Sequence, residues 1–169
     1  MKASKAALIK AMETYFNRDA KRINHARRVT EYAEELLKRE GGDYTILIGA
    51  SILHDIGIHQ AQKKYGSTAG KYQEKEGPSI ARRLLTRLGF EKNQIEEICA
   101  IIAHHHSPGK INTQNFRLLY DADRLVNLRN EHDIRDRDKL GNIIEKVFLT
   151  SSGKALAREI YLHDNNQPY

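Results

Sequence analysis

The chain has 169 residues, 40% of them hydrophobic and 30% charged, which is typical of one domain with a single sizeable core. Its apolar runs are too short for a membrane span and its N-terminus lacks a signal-like apolar region, so we expect a cytoplasmic protein with no membrane partner. The single cysteine, Cys99, excludes an internal disulfide and agrees with a reducing compartment. The net charge of +6 favours anionic partners.

Apolar residues recur at spacings of three and four along most of the chain, and no segment has a convincing strand pattern. We therefore predict an all-α fold, a compact bundle of about seven or eight helices. Asp19 and Asp43 are predicted to cap the second and third helices. The third is apolar almost all round and should be central. These first helices are predicted over residues 3–17, 20–40 and 44–56.

The amino-acid composition changes in the middle of the chain. Residues 58–76 are rich in Gly, Ser, Thr, Gln and Lys and are predicted to form a loop. Gly77-Pro78 then opens a helix, since proline is tolerated in a first turn. Later helices are predicted over 92–106, 114–130, 140–149 and 152–163, before a polar tail over 165–169. The expected organisation is one domain over 1–169, with a core motif region at 20–130 and C-terminal helices 138–163 packing on it.

Histidines and aspartates occur at positions that should face the core. His54-Asp55 ends the apolar third helix. Because His132-Asp133 repeats the same pair in polar surroundings, the dipeptide alone is weak evidence for a metal site. Burying several histidines with aspartates is costly unless they share a compensating ion. Imidazole and carboxylate ligands suit divalent metals. The group that predicts a metal site is His25, His54, Asp55, His105, His106 and an aspartate of the sixth helix.

The order H…HD…D in this chain resembles the HD-domain metal-dependent phosphohydrolase superfamily. The resemblance covers roughly residues 20–130 and is carried by Ile23-Asn24-His25, Ile52-Leu53-His54-Asp55-Ile56-Gly57 and Tyr120-Asp121-Ala122-Asp123-Arg124-Leu125. It implies that one metal is coordinated by His25, His54, Asp55 and Asp123. Helical periodicity does not separate Asp121 from Asp123. The Ala-Asp-Arg-Leu segment is similar to that of (p)ppGpp hydrolases of the superfamily, which favours Asp123.

A second metal is a further possibility that the resemblance raises. HD-type diadenosine tetraphosphate hydrolases hold two irons and have a His-Gly-Pro where this chain has Glu76-Gly77-Pro78. Glu76 is a candidate ligand for a second metal, or a negative residue that favours a helix N-terminus. His105 and His106 can bind that metal or phosphate. The metal itself can be Fe, Mn, Ni or Zn, since such ligands accept all of them.

The predicted chemistry is attack of water on phosphorus. A divalent metal lowers the pKa of bound water and neutralises charge on a phosphoryl oxygen. His59, near the end of the third helix, is a candidate proton donor to the leaving group or a surface histidine. The candidate phosphate-binding residues are Arg28, Lys63, Lys71 and Arg124.

Three functions compete on this sequence. The first is a metal-dependent phosphohydrolase acting on a phosphorylated small molecule such as a nucleotide. The second is a catalytically weak HD module that binds a nucleotide for signalling. The third, a nucleic-acid binder, is prompted by the calculated pI near 9.4, but the basic residues are scattered and form no recognised motif. We therefore expect no nucleic-acid partner. The first and last helices offer a possible homodimer face.

Overall fold

A computed structural model of the chain describes residues 4–163, and that part is helical without a strand. The predicted all-α fold is therefore confirmed. None of the described helices is both long enough and apolar enough to cross a bilayer. The helices are α1 (Lys5–Phe16), α2 (Ala20–Glu40), α3 (Tyr44–Leu53), α4 (Ile58–Tyr65), α5 (Gly70–Arg87), α6 (Lys92–His104), α7 (Gln114–Glu131), α8 (Arg137–Val147) and α9 (Ser151–Tyr161). The tail predicted over 165–169 lies outside the described residues.

Side-chain caps define where the site-bearing helices begin. The Asp19 carboxylate accepts a hydrogen bond from the backbone N–H of Arg22 at 3.2 Å, which satisfies a free donor in the first turn of α2. The Asp43 carboxylate does the same for Ile46 at 3.0 Å in α3. Both caps agree with the prediction.

The third helix is the centre of the bundle. Its residues from Ile46 to Leu53 are all buried, and α3 packs against α1, α2, α6 and α7. The neighbouring helices α2 and α7 run antiparallel. Asp43, just beyond the end of α2, donates its backbone N–H to the Asn115 side chain at the start of α7 at 2.9 Å. The start of α2 therefore lies beside the later turns of α7.

The segment 58–76, predicted as a loop, is largely helical. Ile58 and Ala61 are buried on one face of α4, and a short connection over 66–69 leads into α5. Pro78 lies inside α5 instead of opening it. Packing of α5 on both α4 and α6 compensates for the backbone hydrogen bond that a proline cannot make.

The last two helices pack on the core, with α9 against α2, α7 and α8. The Asp121 carboxylate of α7 joins them to the bundle. It accepts hydrogen bonds from the backbone N–H groups of Leu149 and Thr150, at 2.8 and 2.9 Å, and from the Thr150 hydroxyl at 2.6 Å. A side chain at Gly153 would collide with this carboxylate, so α9 approaches α7 closely.

Candidate metal centre

His54 and Asp55 begin a tight turn that joins α3 to α4. The helix ends at Leu53, and residues 54–57 form the turn. His54 is fully buried, and its Nδ1–H donates to the Ser51 carbonyl oxygen at 2.8 Å. This bond orients the ring and leaves Nε2 directed at the neighbouring side chains, as in metal-binding histidines.

His25 of α2 and Asp123 of α7 complete a four-residue cluster with this turn. Nε2 of His25 lies 3.1 Å from Oδ1 of Asp123 and 3.2 Å from Nε2 of His54. Oδ2 of Asp55 lies 3.5 Å from the Nε2 atoms of both histidines. The ligand atoms of His25, His54 and Asp55 lie within 4.8 Å of one another, so these three side chains can hold one divalent metal, with Asp123 beside the two histidines.

The charges of the cluster also favour a cation. Burial disfavours the charged form of the His54 ring, yet the carboxylates of Asp55 and Asp123 raise its pKa to about 9. Burial acts to raise the pKa of each carboxyl as well, but the facing histidines hold both values well below the usual range. The site thus concentrates two ionised carboxylates that need positive charge, and a metal meets that need when it replaces the imidazole proton.

A second group of ligand atoms adjoins the first and shares Asp55. The ligand atoms of Asp55, His105 and His106 lie within 4.8 Å of one another. The His105 Nδ1–H donates to the Ile102 carbonyl oxygen at 2.6 Å, and its Nε2 lies 3.3 Å from Oδ1 of Asp55. A lone pair on Nε2 would face a carboxylate oxygen unless a proton or metal lies between them. Oδ2 of Asp55 therefore faces the first group of ligand atoms, and Oδ1 faces the second.

Helix α5 holds His106 in place. The Glu74 carboxylate accepts hydrogen bonds from the backbone N–H of His106 at 2.9 Å and from the Ser107 hydroxyl at 2.8 Å. The Gln73 side-chain oxygen lies 3.3 Å from Nε2 of His106. Desolvation of the imidazole and the nearby His105 lower the pKa of His106 to about 4. The ring is therefore neutral at pH 7, which is the form that binds a metal.

A close approach of two glycines brings α5 against the His54-Asp55 turn. A Cβ at Gly57 would lie only 2.6 Å from the backbone nitrogen of Gly77 and 2.7 Å from the Gln73 carbonyl oxygen. Because Gly57 has no side chain, the backbone of α5 can touch the turn, while Gly77 gives the Ile102 side chain of α6 room to approach α5. This contact places the buried Gln73 beside the second group of ligand atoms.

Glu76, the candidate for a second metal, lies elsewhere. Its carboxylate accepts hydrogen bonds from the Tyr65 hydroxyl at 2.7 Å and from Lys64 at 3.1 Å. Among the described residues of α5, Gln73 takes the place beside His106 that the prediction gave to Glu76. Sequence analysis missed Gln73 because it placed this residue in a loop, where no helical face is defined.

A cavity of about 600 Å³ opens over the cluster. Two of the predicted phosphate-binding residues, Arg28 and Arg124, line it, whereas Lys63 and Lys71 do not. The Lys71 ammonium lies over the Tyr72 ring at 4.8 Å instead. The cavity is lined by Lys21, Arg22, Asn24, His25, Arg28, Asp55, Gln73, His106, Asp123, Arg124, Val126, Asn127, Asn130 and Glu131.

Lys21 and Arg22 are cations of this cavity that sequence analysis missed. Lys21 lies four residues before His25, and Arg28 lies three residues after it, so all three share one face of α2. The same helical spacing that identified His25 was the available signal for Lys21.

His59 and Asp121 both lie away from the cavity lining. Nε2 of His59 is 2.7 Å from the Asp19 carboxylate, and its ring packs against Phe16. This hydrogen bond holds the candidate proton donor outside the cavity. Of the two aspartates on α7, Asp123 faces the histidines, and Asp121 binds the segment before α9.

Comparison with known families agrees with this geometry. The model of the HD domain family matches residues 22–128, which contain every residue of both ligand groups. The chain belongs to the HD domain family. None of the curated proteins compared with this HD domain chain matches it.

Two solved structures resemble this HD domain chain. One is a predicted HD superfamily hydrolase from an uncultured Thermotogales bacterium, with 26% identity, a TM-score of 0.69, and coverage of 92% of this chain and 83% of that one. The other is an HD-superfamily hydrolase from Bacillus thuringiensis, with 22% identity, a TM-score of 0.60, and coverage of 93% and 88%. At that identity the second structure supports the fold alone.

Proposed function

We propose that this HD domain protein is a metal-dependent phosphohydrolase. Its substrate would be a phosphate ester or anhydride of a nucleotide or a related phosphorylated small molecule. The observation that carries the proposal is the convergence of two imidazoles and two carboxylates beside a cavity lined by four cationic side chains. The Thermotogales neighbour, described as a predicted HD superfamily hydrolase, supports a hydrolase.

The two ligand groups have distinct parts in this proposal. The first divalent metal would be held by His25, His54, Asp55 and Asp123, and a second would be held by Asp55, His105 and His106. When bound, such a metal lowers the pKa of a coordinated water and withdraws charge from a phosphoryl oxygen. The Asn127 amide donates to Oδ1 of Asp123 at 2.9 Å and so fixes the orientation of that carboxylate.

Cations of the cavity wall attract and orient the phosphate. Lys21 and Arg28 flank His25 on the same face of α2, so they can reach a phosphate that lies against the cluster. Hydrogen bonds from such cations to phosphate oxygens are charge-assisted and therefore strong. Arg28 and Lys21 would contribute chiefly to substrate binding, because they neutralise charge that the substrate already carries.

The test compares two histidines that each precede an aspartate. The protein is stripped of metal, reconstituted with Mn²⁺ or Fe²⁺, and assayed for phosphate release from a panel of phosphate esters and nucleotides. We expect release that EDTA abolishes, that His54→Ala removes, and that His132→Ala leaves intact. His132 ends α7 outside the cavity lining and is the matched control.

One result would contradict the phosphohydrolase proposal. If the metal-loaded protein releases phosphate from none of these compounds, the phosphohydrolase function is wrong. Tight nucleotide binding by the same sample without turnover would then favour the binding or signalling module.

A further inference from the structure

We infer that the cavity recognises the hydroxyl groups of a sugar or polyol phosphate and does not discriminate between nucleobases. The inference rests on the proposed phosphohydrolase function and names the class of its substrate. It follows from the side chains that line the cavity beyond the metal centre.

The cavity extends as a groove between α2 and α7. Because these helices are antiparallel, the turns of α7 that follow Asp123 lie beside the beginning of α2. Asn127 and Asn130 lie one and two turns beyond Asp123 and face the cavity opposite Lys21 and Asn24. A substrate whose phosphate lies at the metal centre would extend its remaining part along this groove.

Three amides supply this groove with unused hydrogen-bonding groups. Asn127 donates its side-chain N–H to Asp123, which leaves its amide oxygen as an acceptor. Asn24 and Asn130 are exposed, and no hydrogen bond among the described residues involves their side chains. An amide offers both donors and an acceptor, and a hydroxyl group also donates and accepts. The groove therefore matches a chain or ring of hydroxyls.

A carboxylate at the far end of the groove strengthens this match. Oε2 of Glu131 accepts a hydrogen bond from Nη1 of Arg124 at 2.6 Å, while the other oxygen, Oε1, faces no donor among the described residues. The Nε of Arg124 is buried and likewise has no partner there. The free oxygen of this carboxylate can accept a hydrogen bond from a hydroxyl group, which agrees with a hydroxylated body at this end of the groove.

The large aromatic rings of phenylalanine and tyrosine, on which a nucleobase could stack, are missing from the same walls. No phenylalanine or tyrosine lines the described part of the cavity, and Val126 is its one aliphatic side chain. Stacking of a base on such a ring is worth about 1–3 kcal/mol, so the lack of these rings removes one large contribution to base recognition. A nucleotide would be bound through its phosphate and ribose, whichever base it carries.

Two measurements test the inference. The first is kcat/KM of the Mn²⁺-loaded protein for AMP and UMP, and for ribose phosphate and deoxyribose phosphate. The second is calorimetric binding of the two sugar phosphates to the protein in EDTA, which needs no turnover. We expect AMP and UMP to differ by less than about threefold. We expect loss of the hydroxyl to weaken both kcat/KM and binding by about tenfold.

A pair of asparagine variants locates the effect. Asn130→Ala should remove most of the advantage of ribose phosphate over deoxyribose phosphate, because it deletes an amide of the groove. Asn93→Ala is the control, since Asn93 is exposed at the start of α6 and outside the cavity lining. It should keep the full advantage.

The outcomes separate this inference from the proposed function. If phosphate is released but AMP and UMP differ by more than about threefold, base-independent recognition is wrong and the phosphohydrolase stands. If no compound releases phosphate, the proposed function fails, and binding in EDTA still decides the inference. Equal binding of the two sugar phosphates there would overturn it.

Discussion

Asp121 and Asp123 lie two residues apart on α7, and their carboxylates point to opposite faces of the helix. Two residues rotate an α-helix by about 200°. Oδ1 of Asp123 therefore lies 3.1 Å from Nε2 of His25, while Asp121 accepts three hydrogen bonds from Leu149 and Thr150. One aspartate belongs to the candidate metal centre, and the other anchors the C-terminal helices.

Substitution of these two aspartates should separate stability from metal binding. Asp121→Ala removes the acceptor of three hydrogen bonds and should lower the free energy of unfolding by about 3 kcal/mol, measured by urea denaturation. Asp123→Asn should abolish the rise in Tm that Mn²⁺ produces, because a charged ligand is lost. An Asp121→Ala protein of wild-type stability, or an Asp123→Asn protein whose Tm still rises with Mn²⁺, would contradict the assignment.

The close contact between Gly57 and α5 predicts that adding a single methyl group at Gly57 destabilises the protein. Gly57→Ala would place a Cβ 2.6 Å from the backbone nitrogen of Gly77, so α5 must shift. We expect a loss of about 1–3 kcal/mol in unfolding free energy and weaker metal binding, since α5 supports His106. Gly141→Ala is the control. The nearest atom to its added Cβ is 3.8 Å away, so this helix position should gain up to about 1 kcal/mol. Equal losses in both variants would refute the steric explanation.

The stability of the metal-free protein should fall with rising pH in a defined window. The pKa of His54 is raised from 6.5 to about 9 by the carboxylates of Asp55 and Asp123, which outweigh its burial. A raised pKa contributes stability that is complete below pH 6.5 and lost as the pH rises through about 9. The contribution is on the order of 3 kcal/mol. Urea denaturation in EDTA across this range measures the loss.

Two comparisons check this pH dependence. His54→Gln cannot titrate and should show little of the decline. The metal-loaded protein should behave in the opposite sense, because a metal competes with the proton for Nε2, and its binding tightens as pH rises. A decline of the same size in His54→Gln would assign the effect to another group.

At low pH the depressed pKa values of Asp55 and Asp123 add a loss of stability as the carboxylates become protonated.

Metal content should reveal a strong and a weak site. The second ligand group has three residues and shares Asp55 with the first, so its metal should dissociate more readily. Elemental analysis during dialysis should show the metal content falling towards one ion per chain. His106→Ala should remove the weakly bound fraction and keep the tightly bound one. Loss of all metal in His106→Ala would show that the two groups bind as a unit.

Much of the fold follows from local patterns in the chain. Asp19 and Asp43 were identified as helix caps because a carboxylate before an apolar periodic run satisfies free backbone donors, and both bonds are present. The central position of α3 followed from its apolar residues on every face. The family resemblance selected Asp123, which helical periodicity could not distinguish from Asp121.

The remaining features depend on tertiary packing. Helix α5 begins at Gly70 and continues through Pro78, although glycine and proline locally favour a helix boundary. Its contacts with α4 and α6 override that preference, and no local pattern encodes them. The position of Gln73 beside His106 follows from this helix and was therefore unpredictable. The hydrogen bond between His59 and Asp19 is likewise a contact between distant parts of the chain.

The bonds from Asp121 to residues 149 and 150 also concern the design of chimaeras between HD proteins. The family match ends at residue 128, and a fragment cut there would retain every residue of both ligand groups. It would also retain a buried carboxylate stripped of its three donors. The end of the family match thus lies between a buried carboxylate and the residues that donate hydrogen bonds to it. A crossover point that keeps the hydrogen bonds of Asp121 should lie after Tyr161, where α9 ends.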